Sequence, residues 1–200
     1  MAEASTPPAP DGRERKRQET IERIVTAAWN LFLSNGYGET TMEDIAKAAD
    51  VSRRSVFNHF SRKDEILFAR MDQYASGIAS KIAARSAVET PFQAVIAVLG
   101  QVTEAARPAD IQAMVQMFRR DPALASGRYG YYSRFEQAIL TALRQGWGGR
   151  ETDDRLILCA MSTAGLLRLS VDRWTARKGE GRFSDCLDQL AAMLPDALRR

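Results

Sequence analysis

Between Asp50 and Asp64 the chain carries Arg53, Arg54, Asn58, His59, Arg62 and Lys63 and no acidic residue. These are hydrogen-bonding groups of the kind that contact nucleic acid. An arginine can give two donors to guanine, and an asparagine amide can bond adenine in the same two-point way. Ser52 and Ser55 open the segment, where hydroxyls and the positive end of a helix suit phosphate. Thr41, His59, Arg62 and Lys63 sit where backbone contacts would flank a groove. Other chemistry is poorly represented. The chain has a single histidine, no His-Glu-x-x-His, no Cys-x-x-Cys and no phosphate-binding glycine loop. Gly146-Trp147-Gly148-Gly149 lies between helical patterns and follows no strand, so it is a poor nucleotide motif. Neither a cofactor nor a metal site is expected.

Two short helices must position these groups. Thr41 is placed as a helix cap, with Asp44 at the reciprocal position of a capping box. Met42, Ile45, Ala46 and Ala49 then give one apolar face two turns long. Asp50 breaks that helix at a turn that suits a left-handed residue, which glycine adopts best and aspartate tolerates. Ser52 caps the second helix, and Val51 and Val56 form a hydrophobic staple that sets its entry angle. On a helical wheel with Val56 and Phe60 facing in, Arg54, Ser55 and Asn58 face out. Arg53 and Phe57 occupy one flank and His59 the other. The pattern is a helix-turn-helix. Spacing alone leaves two readings: a helical hairpin with a solvated polar face, or a reading head for DNA. Caps, staple, polar outer face and the absence of acids agree on the second.

The stretch AAWNLFLSNGYGETTMEDIAKAADVSRRSVFNHFSRKDEIL resembles the TetR family of transcriptional regulators. The likeness runs from about residue 18 to residue 70. It rests on AA-x-x-LF and GY-x-x-TT, then IA-x-x-A-x-VS, then F-x-x-F and S-x-K-x-x-L. The resemblance implies phosphate contacts at Thr41 and His59. It implies a recognition helix carrying Arg53, Arg54, Ser55, Phe57 and Asn58, and a DNA-proximal Lys63 at the start of helix 4. Asp50 departs from the usual turn glycine, and Phe57 from a frequent tyrosine. Beyond residue 70, FRRDPAL, YYSRFEQAI and VDRWTARKG loosely resemble the branch like the mycofactocin regulator.

The rest of the chain sets the frame. Its 200 residues, 45% hydrophobic and 26% charged, suit one or two globular domains. The net charge of +3 is mild, and basic and acidic residues balance over residues 1–70. A case for nucleic acid therefore rests on where charges lie. No apolar run reaches membrane-span length and no secretory signal opens the chain, so no membrane partner and a cytoplasmic location are expected. Cys159 and Cys186 lack metal-ligand spacing and read as reduced core or interface residues.

The expected fold is all-α, with about nine helices. A disordered basic arm is expected over 1–17, a three-helix DNA-binding domain over 18–62 and a helical ligand-binding and dimerisation domain over 63–200. Within the basic knot at residues 13–17, a solvated helix start is the alternative to an arm. Ser61 is placed as the cap of a long helix, with Asp64 reaching back. Further helices are placed around Val95, Ile111 and Tyr132. The stretch 155–177, apolar almost all round, is expected to be buried on more than one side. A last helix is expected to be capped by Ser184 and ended by Pro195. The last two helices suit a four-helix homodimer interface, or else complete a monomer core. Met71, Tyr74, Ile78, Leu99, Val102, Met114, Phe118, Tyr132, Phe135 and Met161 either line a cavity for a small apolar effector or simply fill the core. The resulting expectation is a homodimeric one-component repressor on an inverted-repeat operator in double-stranded DNA, released by that effector, and not an enzyme. The rivals are a helical-bundle enzyme and a helical binding module that leaves DNA alone.

Overall fold

The computed structural model describes residues 12–86 and 88–197. Among these it holds nine α-helices and no strand: α1 (Gly12–Asn35), α2 (Met42–Ala48), α3 (Arg53–His59), α4 (Lys63–Ala83), α5 (Pro91–Ala105), α6 (Pro108–Arg120), α7 (Pro122–Trp147), α8 (Asp153–Ala176) and α9 (Phe183–Ala197). Two compact units meet in sequence between Arg70 and Met71. That division falls eight residues beyond the 62/63 boundary expected from motifs. It lies inside α4, because Ile66 and Leu67 are fully buried within the first unit's share of the chain.

The first unit is built on the apolar stripe of α1. Ile24, Val25, Ala28 and Phe32 are buried, as the helical period requires. The expected arm is corrected over its last part. Residues 12–17 begin α1, where Arg17 pairs with Glu14 at 3.0 Å and Arg15 with Glu19 at 3.6 Å. Ion pairs three and four residues apart favour the helix over an extended arm. Residues 1–11 of that arm lie outside the described residues. Gly36 ends α1 at φ +94°, a left-handed angle that glycine takes without strain. Tyr37 follows and tucks its ring against Phe32, with centroids 5.1 Å apart.

The second unit wraps α5, α7 and α9 around α8. Leu99, Phe135, Ile139, Leu143, Leu156, Trp174 and Leu187 form its dry centre. Thr90 and Gln93 make the expected capping box on α5. Buried indoles keep their N–H groups satisfied: Trp147 donates to the Glu89 carbonyl at 2.9 Å and Trp174 to that of Gly181 at 3.0 Å.

Several expectations for this part need correction. α7 starts at Pro122, where proline suits a first helical position, ten residues before the stripe that marked it. Ser184 is the second residue of α9, not its cap, and α9 passes Pro195 to end at Ala197. At the head of α4 the Ser61 amide donates to Glu65 Oε2 at 2.7 Å, so Glu65 reaches back in place of Asp64. Helix α8 is not covered on every side by its own chain. Leu158, Met161 and Leu169, all on one arc, are 62%, 51% and 50% exposed, and Met193 of α9 is exposed as well. No described helix is long and apolar enough to cross a membrane.

Candidate nucleic-acid interface

Helix α2 is held at its start by a complete capping box. The Asp44 amide donates to Thr41 Oγ1 at 3.1 Å and the Thr41 amide to Asp44 Oδ2 at 3.0 Å. The Thr41 hydroxyl also donates to Asp44 Oδ2 at 2.6 Å. These bonds, the hydroxyl's first and the amide's second, hold the Asp44 carboxyl below its ordinary pKa. Asp50 turns the chain at φ +51°, the left-handed conformation expected of it. Ser52 then caps α3 by accepting the Ser55 amide at 3.1 Å.

Helix α3 packs on α2 through Val56, which is fully buried, and Phe60 closes the same inner side. Arg53, Arg54, Phe57 and Asn58 are exposed, while Ser55 and His59 are half-buried at the edges. Among the described residues the side chains of Arg54 and Asn58 make no hydrogen bond or ion pair. They stand one helical turn apart on the outward face, open to an external partner.

The other cations are engaged within the chain. Arg53 lies with Nε 3.9 Å from Glu43 Oε2, and its guanidinium carbon is 5.4 Å from the centroid of the Phe57 ring. Arg62 pairs with Asp64 at 3.1 Å and with Glu65 at 3.8 Å. Lys63 is engaged as well. Its ammonium donates to the carbonyls of Tyr37 at 2.7 Å, Thr40 at 2.7 Å and Gly38 at 3.3 Å, and it lies 4.6 Å from the Tyr37 ring centroid. These bonds direct the ammonium at the α1–α2 turn. Thr41 is exposed, but its hydroxyl proton is turned to Asp44.

Sequence reasoning missed Glu43. Its position on α2 gave no linear signal, since only the packing of α2 on α3 brings it to Arg53. The role of Tyr37 in receiving Lys63 was likewise hidden by their separation of 26 positions.

The apolar set proposed for a cavity does not lie in one environment. Met71, Ile78, Leu99, Phe118 and Phe135 are buried. Val102, Met114 and Tyr132 are half-buried, and Tyr74 is exposed. Met161 departs from the set: it lies on the exposed arc of α8, outside the buried cluster. Near Tyr74, burial pushes the Tyr131 phenol well above its ordinary pKa, helped by Tyr74, Tyr132 and Asp72. Burial also pushes the Cys159 thiol up to about 11, which favours its protonated form. The described residues hold no cluster able to bind a metal.

Residues 24–69 match the family described as bacterial regulatory proteins, tetR family. The HTH-type transcriptional regulator TcmR of Streptomyces glaucescens is 34% identical over 155 residues, which cover 71% of this chain and 67% of that protein. The chain belongs to the TetR family. Like its TetR relatives it is a DNA-binding transcriptional regulator. MftR of Mycobacterium tuberculosis, named for mycofactocin biosynthesis, is 22% identical over 80% of this chain and 82% of its own length. Among solved structures, the TetR repressor FadR of Thermus thermophilus, in complex with lauroyl-CoA, superposes with a TM-score of 0.62. Its identity is 25%, over 90% of this chain and 95% of that one.

Proposed function

We propose that the chain is a homodimeric repressor that inserts α3 into the major groove of an inverted-repeat operator and leaves it when a small, mostly apolar effector binds. The observation that carries this reading is the outward, unengaged pair Arg54 and Asn58 on a helix anchored by Val56 and Phe60. These two read base edges, with Phe57 against a thymine methyl. Ser52, Ser55 and His59 contact the backbone at the flanks, with Arg53 beside them, and Thr41 approaches it from α2.

One seven-residue helix makes few contacts, so twofold pairing is required. The exposed arc of Leu158, Met161 and Leu169 with Met193 supplies an apolar surface for it, and Ser162 and Gly165 between them permit close helix approach. Two such chains place α3 helices roughly 34–36 Å apart, one DNA turn.

The effector site belongs to the second unit, at Met71, Tyr74, Ile78, Leu99, Val102, Met114, Phe118, Tyr132 and Phe135. The lauroyl-CoA of the Thermus thermophilus repressor supports an apolar ligand class. An effector that prefers the conformer with misplaced α3 helices lowers operator affinity by its differential binding, about 1–3 kcal/mol or roughly 5- to 150-fold. The protein works in the cytoplasm, where the DNA is.

Selection of bound duplexes from a random pool at two salt concentrations tests the reading. Recovery of an inverted repeat, with affinity falling steeply as salt rises, is the expected result. A chain that selects no duplex at either salt is not this regulator.

A further inference from the structure

The acid beside the reading head has no role in capping and none in the core. Glu43 stands in the first turn of α2 next to Asp44, yet Asp44 alone closes the capping box. The Glu43 side chain is exposed, and among the described residues its one partner is Arg53 at 3.9 Å. The Arg53 guanidinium also lies over the Phe57 ring, its carbon 5.4 Å from the centroid. The guanidinium thus contacts both a carboxylate on α2 and an aromatic ring on its own helix. All three groups are in contact with solvent, so the grip is weak and a phosphate can compete for it.

We propose that Glu43 is a specificity-determining residue, which withholds Arg53 from the phosphates of non-operator DNA. The inference rests on the DNA-binding reading above. Non-operator DNA offers this surface phosphates and little else, so each cation released to a phosphate adds directly to non-specific affinity. Glu43 opposes that gain twice. It must be left by Arg53 before a phosphate is met, and its carboxylate then repels the phosphate that replaces it. On the operator, the base contacts of Arg54 and Asn58 fix α3 in a register in which Arg53 stays with Glu43, so the cost falls on non-operator DNA alone. A repulsive element of this kind widens the difference between right and wrong partners by lowering affinity for the wrong ones.

The test is Glu43→Gln, which keeps size and removes charge. Affinity of the full-length protein is measured over a salt series for the selected operator and for a shuffled duplex of equal length. The expected result is that shuffled-duplex affinity rises about fivefold, operator affinity less than about twofold, and the shuffled-duplex salt slope steepens by about 0.9 per subunit. In an Arg53→Ala background the same substitution changes neither affinity. Circular dichroism checks that both variants keep their helices. Equal gains on both duplexes, no gain on either, or gains that persist without Arg53 each overturn the proposal. A wild-type protein that selects an operator while any of these holds refutes this role of Glu43 alone. A wild-type protein that selects no duplex refutes the parent reading instead.

Discussion

Lys63 Nζ lies 2.7 Å from the Thr40 carbonyl oxygen, across 23 residues of sequence, and the same ammonium holds the Tyr37 carbonyl at 2.7 Å. The first residue of α4 therefore ties down the turn that leads into α2. Through these bonds the lysine supports the fold of the reading head. Lys63→Met removes the donors and leaves partly buried carbonyls without them, at a cost of about 1–3 kcal/mol. A lower urea midpoint with an unchanged salt slope of operator binding is expected. An unchanged midpoint with a slope reduced by about 0.9 per subunit would mark a phosphate contact instead.

Arg54 stands outward and unengaged. Arg54→Ala should relax choice at one base position in each half-site by about 1–3 kcal/mol, seen as a flattened position in duplex selection. Uniform weakening across all sequences would place Arg54 on the backbone.

Asp50 holds φ +51°, where most side chains are strained by roughly 1–2 kcal/mol. Asp50→Val should destabilise the first unit by about that amount, while Asp50→Gly should match or exceed the parent in thermal unfolding. A valine variant as stable as the parent would show that the turn rearranges.

The Asp44 carboxyl titrates below its unfolded value because Thr41 donates to the charged form. Its stabilising contribution is complete above the ordinary aspartate value of 3.8 and is lost as pH falls through the lower folded value. Urea midpoints followed down through that window should fall, and Asp44→Asn should remove that part of the slope. A variant with the parent's full pH dependence would assign it to other carboxylates, such as Asp153 beside Arg144.

Leu158 and Leu169 are exposed in the single chain, so charging them leaves its fold intact. Leu158→Glu with Leu169→Glu should yield monomers in sedimentation, since each leucine buried in an interface contributes about 1.5–3 kcal/mol. Operator affinity should fall at least about tenfold with it, as two half-sites no longer bind together. Dimers that persist would move the interface elsewhere.

The reading head was legible in sequence because its determinants are local. Thr41 with Asp44, Asp50, and Ser52 with Ser55 act within a few residues, and caps, a left-handed turn and a period of 3.6 leave their marks at those distances. The outward face of α3 followed from the same period, and so did its membership of an all-helical chain. Helix ends were less legible, since α9 runs through Pro195 and α7 starts at Pro122 where propensity and packing compete. What the polar groups touch belonged to the tertiary structure alone. Lys63 meets Tyr37, Arg53 meets Glu43, and Met161 faces out from α8 and not into a cavity, because such partners are chosen by the packing of distant segments. A linear pattern states that a side chain is polar or apolar; only the packed helices decide which neighbour it finds.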